Sequence, residues 1–224
     1  MSEVHHIWST PRAEEMIVKM ARVSAPQNQD NMETAPKLLN YLIKHKHWSP
    51  FEMAAMTMEI QTTRGIAPQI LRHRSFTFQE FSQRYANTNK IGRIEIPQLR
   101  AQDPKNRQNS TDTLVQKLGK PQLADLYRKM AIHFEDAEHL YQEMVSLGVA
   151  KESARFVLPL ASPTKLYMQG TLRSWIHYIQ LRTEAGTQLE HRALASAIQD
   201  VFCKEFPIIS EALGWLVPKH TDHS

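Results

Sequence analysis

Apolar residues recur at helical spacing over several stretches of the chain and alternate over a few others. The clearest helix is predicted at Pro121–Leu147: Leu123, Leu126, Met130, Phe134, Ala137, Tyr141 and Met144 step by three or four, and Gly148 stands at the C-terminal stop. A helix is expected to start at Thr10-Pro11, with a cap, a proline at the first position and Glu14 and Glu15 in the first turn, and to run to about Arg22. Another opens near Thr34-Ala35-Pro36. There Leu38/Leu42 and Leu39/Ile43 form i,i+4 pairs, and Lys44, His45 and Lys46 suit the C-terminus. Residues 53–62 (MAAMTMEIQT) partly alternate and predict a strand, as does 166–170. Residues 64–74 read as helical, with Pro68 tolerated in the first turn. Residues 171–183 predict a helix, and Thr187-Gln188-Leu189-Glu190 reads as a capping box opening another that runs to Phe206 and is ended by Pro207. Between them, residues 86–118 are polar and predict a long surface excursion with a short strand at Arg93–Ile96. Helices outweigh strands, so the class is α+β.

Composition narrows this only a little. At 224 residues with 42% apolar content, the chain can bury a sizeable core without staples, and no apolar run approaches a membrane span. The N-terminal MSEVHHIWSTPR lacks the basic and apolar regions of a secretory signal. One cysteine, Cys203, precludes an internal disulfide, and a reducing cytoplasm is the expected home. Cys203 lies between Phe202 and Lys204 on an amphipathic helix, with no base beside it, and reads as a small buried hydrophobe. A net charge of +4 favours anionic partners without choosing among nucleotide, phosphate and nucleic acid. The eleven histidines include the pairs His5/His6 and His45/His47, which bring neither cysteine nor clustered carboxylates at ligand spacing, so no metal is expected.

Candidate chemistry concentrates in residues 72–85, RHRSFTFQEFSQRY. Arg72, Arg74 and Arg84 supply permanently charged planar forks, His73 an imidazole, and Phe76, Phe78, Phe81 and Tyr85 flat faces. A phosphorylated heterocycle needs this combination. Taken alone, the segment also reads as a solvated charged face over ordinary core aromatics, or as a platform for single-stranded nucleic acid. No further basic stripe supports the last of these.

The order of residues resembles the signature of the flavin-dependent thymidylate synthases: Arg72-His73-Arg74, the seven residues SFTFQEF, then Ser82, continued by Gln83-Arg84-Tyr85. Ala21-Arg22-Val23-Ser24 and His47-Trp48-Ser49-Pro50-Phe51-Glu52 upstream resemble two further family blocks. Residues 154–160 (ARFVLPL) and Gln180-Leu181-Arg182 downstream resemble two more, all in family order. The resemblance implies a helix-rich single domain over residues 1–224 around a small, mostly antiparallel sheet. It implies conversion of deoxyuridylate (dUMP) to thymidylate (dTMP), with methylene-tetrahydrofolate as carbon donor, NADPH as reductant of a bound FAD, and no cysteine nucleophile. It further implies a cytoplasmic homotetramer whose active sites are shared between subunits, with neither nucleic-acid nor membrane partners.

Site residues follow from the same resemblance. Arg182 is the expected catalytic residue, a fixed cation beside the uracil ring that polarises it toward hydride attack at C6. Read without the resemblance, it is a basic residue serving a helix C-terminus. Gln69, Arg72, Glu80, Phe81, Ser82, Gln83, Arg84, Arg155 and Arg182 resemble nucleotide-binding positions, Glu80 through its backbone and Ser82 as a donor to phosphate. His47, Ser49, Arg72, His73, Arg74, Gln79, Glu80, Thr171, Arg173 and His177 resemble flavin contacts, where a cation favours the reduced anionic ring. On the predicted helix, Arg173, His177 and Gln180 share one stripe and Leu172, Ile176 and Ile179 the core stripe beside it. The chain departs from the pattern at Met53 and Gly186, where the family often has histidine. Without a GxGxxG loop, NADPH is expected to visit the flavin without a Rossmann domain. Two alternatives stand beside this reading: a nucleotide-binding flavoprotein that oxidises NADPH without methylene transfer, and a non-enzymatic nucleic-acid-binding module.

Overall fold

Alternation of apolar and polar side chains builds the centre of the molecule. A computed structural model describes residues 3–87 and 91–216. Its elements in chain order are β1 (Glu3–Ser9), α1 (Ala13–Ala21), α2 (Ala35–Lys44), β2 (Ala55–Thr63), α3 (Ala67–Ile70), β3 (Thr77–Glu80), β4 (Ala101–Gln102), β5 (Ser110–Thr111), α4 (Leu114–Leu118), α5 (Lys120–Ser146), α6 (Lys151–Ala154), β6 (Pro163–Thr171), α7 (Leu172–Arg182), α8 (Leu189–Glu205) and α9 (Pro207–Ala212). Short 3-10 turns at Ser49–Glu52 and Arg155–Val157 carry two of the blocks singled out above.

One antiparallel sheet has the order β1-β2-β6-β3. On its core face Met56, Met58 and Ile60 of β2 stand opposite Gly170, Met168 and Leu166 of β6, all buried. On the other face Glu59 accepts a hydrogen bond from Tyr167 and pairs with Lys165. This is the period-two pattern of a sheet covered on one side. α1, α2, α7, α8 and α9 close the covered side in one continuous apolar cluster. α7 enters that cluster because Leu172, Trp175, Ile176 and Ile179 are all at most 1% exposed, and the Trp175 indole donates to the Met56 carbonyl. The α+β class and the antiparallel sheet therefore agree with the sequence reading, as do the strands at 53–62 and 166–170 and the helices at 121–147, 171–183 and 187–206, each within a few residues.

Several expectations need correction. Thr10 does not cap α1; its hydroxyl accepts from the Ala55 amide and its own amide bonds the Ala55 carbonyl, so it prolongs the β1–β2 pairing. Arg12, at φ 52°, stands at the N-terminus of α1 instead. The helix expected over 64–74 shrinks to α3. The amides of Arg64 and Gly65 are drawn to the Ser162 and Leu160 carbonyls, and after Ile70 the chain turns to deliver Phe76 to the core. β1 and β3 were not foreseen, being edge strands whose alternation is short or interrupted by the bulge between His6 and Trp8. The strand expected at Arg93–Ile96 is irregular chain; the excursion carries the β4–β5 ribbon instead, and the Leu99 amide is tied to the Tyr127 hydroxyl. Residues 88–90 of the excursion lie outside the described residues. The capping box at Thr187–Glu190 does not form, because Glu190 pairs with Arg100. Leu126 is not a core residue of α5 but 38% exposed; only Ala137 and Tyr141 of that helix are buried. Gly148 does end α5. At φ 88° it supports the bonds from its own amide to the Val145 carbonyl and from the Val149 amide to the Met144 carbonyl.

The Phe76 ring lies on Gly170, edge-on to Trp175 at 4.8 Å. A Cβ at Gly170 would stand 2.5 Å from that ring. Gly170→Ala is therefore expected to lower stability by about 2 kcal/mol, measured as a lower urea midpoint with unchanged slope. An unaltered midpoint would show that the ring is free to move.

Candidate active site

The tight turn after α3 sets the site. The His73 amide bonds the Ile70 carbonyl, the Phe76 amide bonds the His73 carbonyl, and Phe76 anchors in the core. His73 thereby faces the last turn of α7, where Arg182 Nε donates to His73 Nε2 at 2.9 Å. The accepting Nε2 places the imidazole proton on Nδ1, so His73 is neutral. Burial, the Arg182 charge and His177 lower its pKa to about 4. The terminal guanidinium nitrogens of Arg182 have no hydrogen-bond acceptor among the described residues. A half-buried cation is thus held at one nitrogen and open at the others.

Beneath this pair, Tyr178 is fully buried, with its ring 4.8 Å from that of His73. Its hydroxyl lies 2.9 Å from His191 Nε2, and His191 Nδ1 lies 3.1 Å from Gln69 Oε1. The Gln69 amide then donates to Gln188, Gln188 to Glu190, and Glu190 pairs with Arg100. Burial, Arg182 and His73 lower the His191 pKa to about 4 as well. Sequence reading missed His191, Tyr178, Glu190 and Arg100. One signal was available: the stripe His191, Leu194, Ala195, Ile198, Phe202 along α8 begins with an imidazole where periodicity demands a buried group.

The remaining expected residues fall nearby or in two further patches. Arg72 and Arg74 are exposed and make no ion pair or hydrogen bond among the described residues. Gln79 is exposed on β3. The Glu80 carboxylate is engaged by Arg64 and by the Thr164 hydroxyl, which leaves its backbone for other roles. The Phe81 amide bonds the Lys165 carbonyl, and Gln83 is buried with its amide nitrogen unpartnered. A second patch joins the turn beginning at Ser82 to α6. Arg84 pairs with Glu152 at 3.4 Å, and the half-buried Arg155 follows three residues on, its guanidinium 5.6 Å from the Phe156 ring centre. The third patch sets the 49–52 turn against the start of α7. There Arg173 pairs with Glu52, the Thr171 hydroxyl accepts from the Ser174 amide as helix cap, and Ser49 and His47 are exposed, His47 edge-on to Tyr41. His177 and Gln180 are exposed along α7 between the first and third patches. Arg173 and Arg182 are roughly 14 Å apart along the helix axis. Arg22 of the first sequence block is structural: its buried guanidinium binds the Asn28 and Asn31 carbonyls and the Thr34 hydroxyl.

Two surface depressions, one between α2 and α9 and one between α1 and Glu205–Ile208, include none of the expected residues. Among the described residues no group of three His, Cys, Asp or Glu side chains is placed to hold a metal ion, and no helix is long and apolar enough to cross a membrane. Cys203 is half-buried, not fully buried as expected. Burial raises its thiol pKa, and so does Asp200. Met53 is exposed and Gly186 opens onto free space.

Residues 6–208 match the family described as thymidylate synthase complementing protein. A probable flavin-dependent thymidylate synthase of Paramecium bursaria Chlorella virus 1 is 53% identical over 207 residues, covering 91% of this chain and 92% of the relative. The flavin-dependent thymidylate synthase of Synechocystis sp. is 48% identical over 202 residues, covering 90% of each. Among solved structures, a UMP/dUMP methylase, PolB from Streptomyces cacaoi bound with 5-Br dUMP, superposes with a TM-score of 0.80 at 26% identity, over 96% of this chain and 95% of that one.

His73 and His191 are both held neutral in the fold, whereas an unfolded chain protonates histidine near the ordinary 6.5. Their contribution to stability is complete above 6.5 and is lost as pH falls toward 4, because the unfolded state takes up protons that the fold refuses. The urea midpoint should fall over that window, and less steeply in His73→Asn. Parallel pH profiles for the two proteins would refute the assignment.

Proposed function

Because the chain belongs to the flavin-dependent thymidylate synthase family, we propose that it methylates dUMP to dTMP with FAD as its flavin, methylene-tetrahydrofolate as carbon donor and NADPH as reductant. The observation that carries this reading is the contact between Arg182 and His73. It joins two signature blocks 109 residues apart and leaves a half-buried guanidinium open on its free side. A cation so placed beside a uracil ring stabilises the negative charge that develops as the ring is attacked, and its low-dielectric setting strengthens the effect. The neutral His73 contributes by accepting from Nε, which fixes the fork without adding a second positive charge.

Around that centre, Gln69, Arg72, Ser82, Arg84 and Arg155 supply donors for the nucleotide, with Glu80, Phe81 and Gln83 shaping the strand and turn that carry them. The donor set also fits a flavin dinucleotide. Arg72 and Arg74 offer guanidinia unpaired among the described residues, and His177 lies exposed on the same helix as Arg182. Arg173, Thr171, Ser49, His47, Gln79, His73 and the Glu80 backbone complete the proposed flavin contacts. A flavin held there supplies the reducing equivalents that turn a transferred methylene into a methyl.

The division into three patches supports a site shared between subunits of a homotetramer. So does unpartnered apolar surface: Phe156, Leu160 and Leu147 are 82%, 74% and 76% exposed, and Ile132 and Leu140 extend that surface along α5. The continuous cluster from Ala13 to Ile209 supports reading the chain as one domain. The half-buried Cys203 with its raised thiol pKa supports a route without a cysteine nucleophile in a reducing cytoplasm.

Incubation with dUMP, methylene-tetrahydrofolate, NADPH and FAD, omitting each in turn, should yield dTMP only when all four are present. Consumption of NADPH without dTMP would replace this reading with that of an oxidase. Arg182→Ala should lower the rate of dTMP formation by roughly a hundredfold or more, whereas Cys203→Ala should leave it unchanged. Loss of turnover in the cysteine variant, with the fold intact, would refute the proposed chemistry.

A further inference from the structure

The hydrogen bonds behind the site run in one direction, and that direction can be derived from their two ends. Tyr178 is fully buried and burial raises its pKa, so it keeps its proton; the only acceptor it meets among the described residues is His191 Nε2, 2.9 Å away. His191 Nε2 is therefore bare and the proton sits on Nδ1, where it is donated to Gln69 Oε1 at 3.1 Å. At the far end Glu190 accepts from Gln188 Nε2 at 2.9 Å and pairs with Arg100 at 2.7 Å. Burial pushes its carboxyl up, but its backbone amide, Arg100 and Gln188 bring it below the ordinary value, so it can only accept. Gln188 must then present its oxygen to Gln69 Nε2, as it does at 2.7 Å. A hydroxyl that must donate and a carboxylate that must accept fix every link between them.

We infer that His191 is a positioning residue of the nucleotide site, whose imidazole holds the Gln69 side chain with its oxygen turned to the protein and one N–H of Nε2 left as the free donor. A glutamine amide has two near-isosteric orientations that exchange donor for acceptor. With the amide reversed, Gln69 N–H would face the His191 Nδ1–H, leaving two donors opposed at a fully buried imidazole. With the amide as found, Gln69 meets a phosphate or carbonyl oxygen with a proton. His191 itself touches no substrate; at 0% exposed it lies behind Gln69. The inference rests on the proposed role of Gln69 as a nucleotide contact.

The test is dUMP binding by calorimetry, with KM and kcat alongside, on the wild type, His191→Leu, His191→Asn, Gln69→Ala and the double variant Gln69→Ala/His191→Leu. His191→Leu should weaken dUMP binding roughly tenfold and raise KM more than it lowers kcat. His191→Asn keeps a donor toward Gln69 and should recover most of the loss. In the Gln69→Ala background, His191→Leu should change dUMP affinity no further. If His191→Leu does not fold, Tyr178→Phe replaces it, removing only the hydroxyl that sets the tautomer; its effect should likewise vanish in Gln69→Ala. Losses that add, or a fall in kcat at constant dUMP affinity, overturn the positioning role while leaving the proposed function standing. A wild-type protein that binds no dUMP overturns both.

Discussion

The pairing of β2 with β6 runs without interruption from Ala55↔Thr171 to Thr63↔Pro163, and the placement of His73 and Arg182 follows from it. A slip of one residue would turn the apolar set of the slipped strand to the polar face, Met56, Met58 and Ile60 if β2 moved or Leu166 and Met168 if β6 did. The same register puts Gly170 under Phe76 and lets β6 pass directly into α7. Each of these fixes one half of the contact between His73 and Arg182. The turn bearing His73 is anchored through Phe76, and the helix bearing Arg182 through Trp175, whose indole returns to the Met56 carbonyl. The site geometry is thus determined by packing some distance from its charges.

The charges in turn shape the imidazoles. Arg182 is a permanent cation, and a cation disfavours a second positive charge on an imidazole beside it. His73 and His191 are both neutral first because they are buried and then because of that charge. Neutral imidazoles can accept as well as donate, and each does what a charged one could not: His73 accepts from Arg182, and His191 accepts from Tyr178 while donating to Gln69. One fixed cation among neutral, directional partners keeps the local charge low enough for burial and leaves the field of Arg182 uncancelled.

The sequence made the core legible where apolar positions followed a strict period, as in β6 and α7. It was misleading where a local motif had a stronger competitor. Thr10 was a good cap by type, but the sheet took its hydroxyl; Glu190 was placed for a capping box, but Arg100 lies close enough to take its charge. α5 showed a helical stripe whose N-terminal part, Leu126 included, meets little of its own chain, and periodicity cannot distinguish a face covered by the same chain from one left open. Of the candidate site, the arginines and His73 were legible through the resemblance. The layer behind them was not, because Tyr178, His191 and Gln188 are ordinary residues whose importance lies in who meets whom across the fold.

Arg84 and Arg173 both carry an anion already, Glu152 for the one and Glu52 for the other. Each pair uses one terminal nitrogen, Nη2 of Arg84 and Nη1 of Arg173, so the rest of either fork stays open to a second anion. Exposed carboxylate pairs are weak, and a phosphate dianion offers more charge and more acceptor oxygens, so a phosphate meeting either fork competes well with the resident carboxylate. The resident glutamates act as place-holders: they orient the arginines without claiming the whole of either fork.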